Sequence, residues 1–217
     1  MNLFSFLTGS RPPLVDQALN DLAAMLDTAD SMFAASTNCL LDNEELHVDL
    51  AAQDNLINDR EQAIRRAVLE HILADPRQEL SLSLLLISVV TDAERLGDLS
   101  KSIAKASALS SAPRMGRHVE ALRPIRDRVQ AAFPKVRRAF VVGDSKGGMA
   151  VMEEHNTTKA DVAAFLEALA AADDVTPNEA VVLAISSRMI GRCSSHLSNI
   201  ISAVALPFDQ VRNSPAA

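Results

Sequence analysis

Leucine, isoleucine, valine and alanine recur along this chain at steps of three, four and seven, in six segments of roughly 30 residues. In one segment Leu82, Leu85, Leu86, Val89, Ala93, Leu96 and Ile103 form a single apolar stripe. Leu19, Leu22, Leu26, Ala29, Phe33 and Leu40 form a second, and Leu46, Leu50, Ile57, Ile64, Val68 and Ile72 a third. Strand-like alternation is hard to find, glycine is sparse, and Trp and Tyr are absent. Aliphatic side chains must therefore build the interior, and the pattern suits long helices packed side by side. The 217 residues suffice for one large domain or two small ones.

The punctuation predicts where the helices start and stop. The first begins near Pro13, and the second runs from about Asn43 to Ala74. Asp75-Pro76 supplies an N-cap and a first-turn proline for the third, which ends near Leu109. The fourth spans about 114–142 and is bent at Pro124 and Pro134, because an interior proline removes a backbone donor. Gly143-Asp-Ser-Lys-Gly-Gly148 reads as a loop, and the fifth helix covers about 149–172. Thr176-Pro-Asn-Glu179 is a capping box that opens the sixth, which stops before Pro207. The order of two long helices, a cap with proline and a third helix occurs twice. The expected fold is all-α: a tandem of two three-helix units, residues 1–110 and 111–206, forming one elongated six-helix bundle with a tail at 207–217.

Several function classes recede on composition. Cys39 and Cys193 stand far apart without a CxxC pair, suggesting core thiols in a reduced compartment. The first residues lack a basic region before their apolar stretch, and the longest apolar run, 80–90, is about half a membrane span. A cytoplasmic protein is expected. The net charge of −7 divides into −9 over residues 1–110 and +2 over 111–217. Bulk nucleic-acid binding does not suit that balance. Residues 113–138 alone carry +6, so this stretch either meets an acidic partner or anionic headgroups, or balances acidic neighbours inside the bundle.

The third segment holds the feature that asks for an explanation. Glu94 and Asp98 lie four residues apart, stacked on one helical face away from the apolar stripe, with Gly97 between them. Like charges at this spacing repel by roughly 0.2–0.5 kcal/mol. On the second segment, Asp54 and Asn58 make another oxygen pair with the same spacing. Antiparallel helices would gather all four side chains into a patch of hard oxygen donors, suited to Mg, Ca, Mn or Fe. The alternative is a set of solvated carboxylates balanced locally by Arg95 or Lys101.

Asp92-Ala-Glu-Arg-Leu-Gly-Asp-Leu-Ser-Lys-Ser-Ile-Ala104 resembles the signature of the PhoU family, approximately Asp-Leu-Glu-Arg-Ile-Gly-Asp-His-Ala-x-Asn-Ile-Ala. Asp54-Asn-Leu-Ile-Asn-Asp-Arg-Glu-Gln-Ala-Ile64 is similar to that family's motif on the preceding helix. The resemblance implies two tandem three-helix units and a non-catalytic regulator of phosphate uptake and phosphate-starvation signalling. Its implied partners are phosphate transporter components and a sensor histidine kinase, met near the membrane, and it is compatible with a homo-oligomer. An accessory protein of a phosphate or other ion transporter, without a kinase partner, is the alternative. The resemblance also implies that Asp54, Glu94 and Asp98 are ligands of a divalent or ferric metal cation.

The chain departs from that signature in places. Asn58 replaces an expected Asp, although an amide oxygen still coordinates. In the second unit the carboxylate positions have become Gly191 and Ser195, and the preceding helix offers His155 and Lys159. One metal site at most is expected, in the first unit, with His196 as a surface or hydrogen-bonding histidine. A di-iron bundle would need two Glu-x-x-His motifs, and only Glu44-Glu-Leu-His47 supplies one. The Gly143–Gly148 stretch lacks the spacing of a phosphate-binding Walker loop.

Overall fold

The computed structural model describes residues 13–74 and 80–212. Within them lie six long helices: α1 (Pro13–Leu41), α2 (Leu50–Ala74), α3 (Leu80–Ser107), α4 (Arg117–Val142), α5 (Ser145–Ala170) and α6 (Pro177–Ala205). A single 3-10 turn, Phe208–Gln210, follows, and the described residues contain no strand. The 29 residues of α1 or α6 extend about 43 Å at the usual helical rise. No helix among the described residues is long and apolar enough to cross a membrane.

Four helices close a ring. α1 packs on α3, α3 on α6, α6 on α4, and α4 back on α1. The two remaining helices lie outside it, α2 against α1 and α3, and α5 against α4 and α6. The first three helices and the last three thus occupy equivalent places, and one continuous apolar core runs through both. α3 and α6 are the most enclosed, which explains the greasy run Leu82–Val90 without any membrane. Phe33 of α1 and Phe133 of α4 meet across the ring with centroids 5.4 Å apart in a tilted arrangement.

Several boundaries differ from the sequence expectation. α2 starts at Leu50, and residues 43–49 form an extended connection closed by Asp49, whose carboxylate accepts from the amides of Ala51 and Ala52. Asn43 adopts a left-handed φ of 56°, which ends any helical continuation there. α4 starts at Arg117, after Gly116, whose φ of 96° no ordinary residue tolerates well. The Gly143–Gly148 stretch is mostly helix: Gly143 ends α4 at φ 70°, Asp144 caps α5 through the Gly147 amide, and α5 begins at Ser145. Pro124 and Pro134 sit inside α4, on its exposed side. Thr176 caps α6 from the Glu179 amide, as its capping box predicts. The companion cap at Asp75-Pro76 lies outside the described residues, as does the end of the tail beyond Arg212.

Arg114 ties the first unit shut. Its guanidinium, 9% exposed, donates to the carbonyls of Cys39 and Leu40 at the end of α1 and to Ser107 at the end of α3. The carbonyls lie at helix C-termini, where the Ser107 oxygen also accepts from the Ser110 amide, and a cation there complements both helix dipoles. Asn43 completes the lock, donating to the Arg114 carbonyl and accepting from its amide, each at 2.9 Å.

Candidate functional site

The α2–α3 pair sets Asp54 and Asp98 around one lysine, with Glu94 beside Asp98, and the surroundings are less open than their spacing suggests. α2 lies along α3, so Asp54 is buried at 7% exposure, and the side chains of Glu94 and Asp98 are 18% and 38% exposed. Gly97 is the reason for the close approach. A Cβ there would stand 2.9 Å from Ile57 Cδ1 and 3.3 Å from Asp54 Oδ1. A side chain at this position would displace the ends of Ile57 and Asp54, so the glycine permits the approach as it stands.

A cation of the chain already occupies this face. Lys101 Nζ lies 2.6 Å from Asp54 Oδ2 and 3.0 Å from Asp98 Oδ1. Burial alone would lower the Lys101 pKa, but the hydrogen bonds and charges of Asp54 and Asp98 outweigh it and raise the pKa above the usual lysine value. Arg95 spans Glu94 at 3.7 Å and Asp98 at 3.4 Å. Asn58 donates to Asp54 Oδ2 at 3.3 Å, so its amide nitrogen faces the carboxylate. Asp54 Oδ1 is buried with no hydrogen-bond partner. Glu94 has a raised pKa, first because of burial and next because of the Asp98 charge beside it. Among the described residues no three His, Cys, Asp or Glu side chains stand as a ready metal cage.

A second polar cluster joins the two units, and the motif pattern did not single it out. Asp92 is 1% exposed on α3. Its Oδ1 accepts from His196 Nδ1 at 2.7 Å and Asn199 Nδ2 at 3.0 Å, both from α6. Arg212, beyond α6, reaches it with Nη2 at 3.2 Å from Oδ2. A signal was available: Asp92 lies four residues before Leu96, on the core stripe, where a carboxylate needs partners. His196 is accordingly a hydrogen-bonding histidine.

The basic stretch of α4 spends most of its charge internally. Arg123 and Arg126 both bind Asp42, Arg128 binds Asp161 at 2.6 Å, and Arg137 binds Asp27 at 2.8 Å. Arg117 pairs with Asp174 and Lys135 with Glu154. Arg114 is buried. The reading of this helix as an internal counterweight is the one the geometry favours. Cys193 is fully buried and its thiol pKa is raised by that burial, as for a packing residue.

Residues 22–107 match the family model of the PhoU domain. That stretch holds Asp54, Asn58, Glu94, Asp98 and Lys101. No curated protein matches the chain in sequence. Its fold is similar to the crystal structure of PhoU from Pseudomonas aeruginosa, with a TM-score of 0.80 and 23% identity, covering 88% of this chain and 95% of that one. It is also similar to the phosphate transport system regulatory protein PhoU from Streptococcus pneumoniae, with a TM-score of 0.79 and 14% identity, covering 88% and 92%. At these identities the two structures establish the all-α bundle.

Proposed function

We propose that this chain, in which residues 22–107 are a PhoU domain, is a non-catalytic regulator of phosphate transport and phosphate-starvation signalling that acts by binding proteins. The observation that carries the reading is that the matched domain coincides with the helix pair bearing Asp54, Glu94 and Asp98. The described bundle shares its fold with a protein titled a phosphate transport system regulatory protein. Its partners in this reading are phosphate transporter components and a sensor histidine kinase at the cytoplasmic face of the membrane. Deleting the gene should derepress phosphate-starvation promoters in phosphate-rich medium, and affinity capture should retain a transporter subunit or kinase. Unchanged promoter activity together with capture of a permease alone would favour the transporter-accessory role.

The first unit's carboxylate face is also proposed to take a divalent or ferric cation through Asp54, Glu94 and Asp98. The donors fit in kind, since all are hard oxygens and Asp54 Oδ1 lacks a partner. A bound cation would supply the positive charge that Glu94 and Asp98 need. In its absence Lys101 and Arg95 balance the face, so metal affinity depends on moving the Lys101 ammonium aside. Metal analysis of the purified protein, compared with an Asp54→Asn, Glu94→Gln, Asp98→Asn variant, tests this. Equal metal content in both would end the metal reading.

A further inference from the structure

The equivalent face of the second unit carries the opposite charge. Where α2 and α3 present Asp54, Asn58, Glu94 and Asp98, α5 and α6 present His155, Lys159, Gly191 and Ser195. A cleft of about 140 Å³ lies there, lined by Lys159, Val162, Arg188, Gly191, Arg192 and Ser195. We propose that this cleft binds a small tetrahedral oxyanion, of the class of inorganic phosphate or sulfate.

The charge arrangement supports this first. Three cations line one cleft and no carboxylate does. On α4, Arg117, Arg123, Arg126, Arg128, Lys135 and Arg137 have acidic partners, and Arg138 is the exception among the cations of that helix. Lys159, Arg188 and Arg192 have no hydrogen bond or ion pair to any described residue. Two α5 carboxylates near the cleft in sequence are engaged elsewhere, Glu154 by Lys135 and Asp161 by Arg128, and Glu153 does not line the cleft. A cleft lined by one sign of charge focuses potential and concentrates counter-ions.

The shape and the donor chemistry narrow the class. Gly191 stands where the first unit has Glu94, and its missing side chain leaves the cleft open beside Val162. The volume lies well below the several hundred Å³ of sites for drug-sized molecules, and suits an ion of a few atoms. Two guanidinium forks and an ammonium match oxyanion geometry better than that of a spherical halide. The Ser195 hydroxyl, which donates to the Gly191 carbonyl at 3.2 Å, adds a polar group in the wall. His155 adds no positive charge to the three cations of the cleft. Its pKa is lowered by burial and then by Lys159, and its Nδ1 faces Ser194 Oγ at 2.9 Å.

Calorimetric titration of the full chain with inorganic phosphate, and separately with sulfate, at constant ionic strength set by chloride, tests the assignment. Saturable binding of one ion per chain is expected. Arg188→Gln with Arg192→Gln should weaken it at least tenfold, both sites being exposed on α6. Gly191→Glu, which restores a carboxylate at the Glu94-equivalent position, should abolish it. Circular dichroism confirms that each variant keeps its helices, and Glu70→Gln, at an exposed position of α2, should leave the binding unchanged. No saturable binding over chloride, or binding undiminished in both second-unit variants, would overturn the proposal. Retention by phosphatidylglycerol vesicles without free-ion binding would also overturn it, assigning the cleft to a lipid headgroup. Failure here leaves the regulatory reading intact, since that rests on promoter activity and partner capture.

Discussion

The Lys101 ammonium stands 2.6 Å from Asp54 Oδ2, so the carboxylate face that would attract a metal carries its own cation. The pair bridges α2 and α3 at the point where Gly97 lets them touch. Lys101→Met removes the charge and strands a buried aspartate, which should cost about 2–4 kcal/mol. Because the same change vacates the position facing Asp54 and Asp98, manganese should raise the melting temperature of the variant more than that of the parent. Thermal unfolding with and without the ion measures both effects. An equal shift in the two proteins would show that Lys101 and the metal do not compete.

Arg114 gives a prediction in which charge is incidental to availability. Reversing Arg117 or Arg128 alters exposed or half-exposed ion pairs that solvent screens, so it should change stability little. Changing Arg114 to Gln instead releases carbonyls at the ends of α1 and α3 together. That should lower stability by about 2–4 kcal/mol. Asn43→Ala should cost less, since it removes two hydrogen bonds to the same segment. Urea unfolding of the three types of variant ranks them. Equal losses for Arg114→Gln and for the α4 reversals would remove the carbonyl lock as the cause.

The helices were legible because their information is local and redundant. Each stripe repeats over many turns, and Thr176-Pro177 announces α6 within four residues. The approach of Asp54 to Asp98 follows from the packing of α2 on α3, where both carboxylates meet Lys101. What escaped is what depends on distant partners. Gly97 reads locally as a gap in a helix surface, and only Ile57, forty residues away, explains it. Asn43 is a plausible helix start by composition, but its pairing with Arg114 holds it at positive φ. The oxygen of Asn58 was a sound candidate ligand, yet its amide turns the nitrogen to Asp54 because that oxygen needs a donor.

Asp30 should make stability depend on mild acidity. Its pKa is raised to about 6, first by burial and then by the charge of Asp27, while Gln130 donates to it from α4. A carboxyl whose folded pKa exceeds its unfolded value favours folding when protonated. The contribution is fully present below about pH 4 and is lost as pH rises through about 6. Asp30→Asn keeps an uncharged group there at every pH. It should therefore stabilise the protein at pH 7.5 by roughly 1 kcal/mol, allowing for solvent screening, and change little at pH 4. Denaturation midpoints across that range give the answer. A constant difference between variant and parent would remove Asp30 as the cause.

Asp92 couples the two units and the end of the described chain through one carboxylate. His196 and Asn199 reach it from α6, and Arg212 returns to it after the 3-10 turn, with its own amide donating to Ser202 Oγ at 2.9 Å. Asp92→Ala leaves three polar side chains without their common acceptor and should cost about 3 kcal/mol. The distinctive consequence is local. With its anchor gone, Arg212 should become open to trypsin, shortening the chain by the five residues that follow it. His196→Ala removes one donor and keeps the Arg212 contact, so it should destabilise the bundle without exposing that bond. Mass spectrometry after brief digestion separates the two variants, and a double-mutant cycle gives the Asp92–His196 coupling, expected at 1–3 kcal/mol. Equal cleavage in parent and Asp92→Ala would mean that the segment is held by Ser202 and the α6 packing, and that Asp92 serves the seam between the units alone.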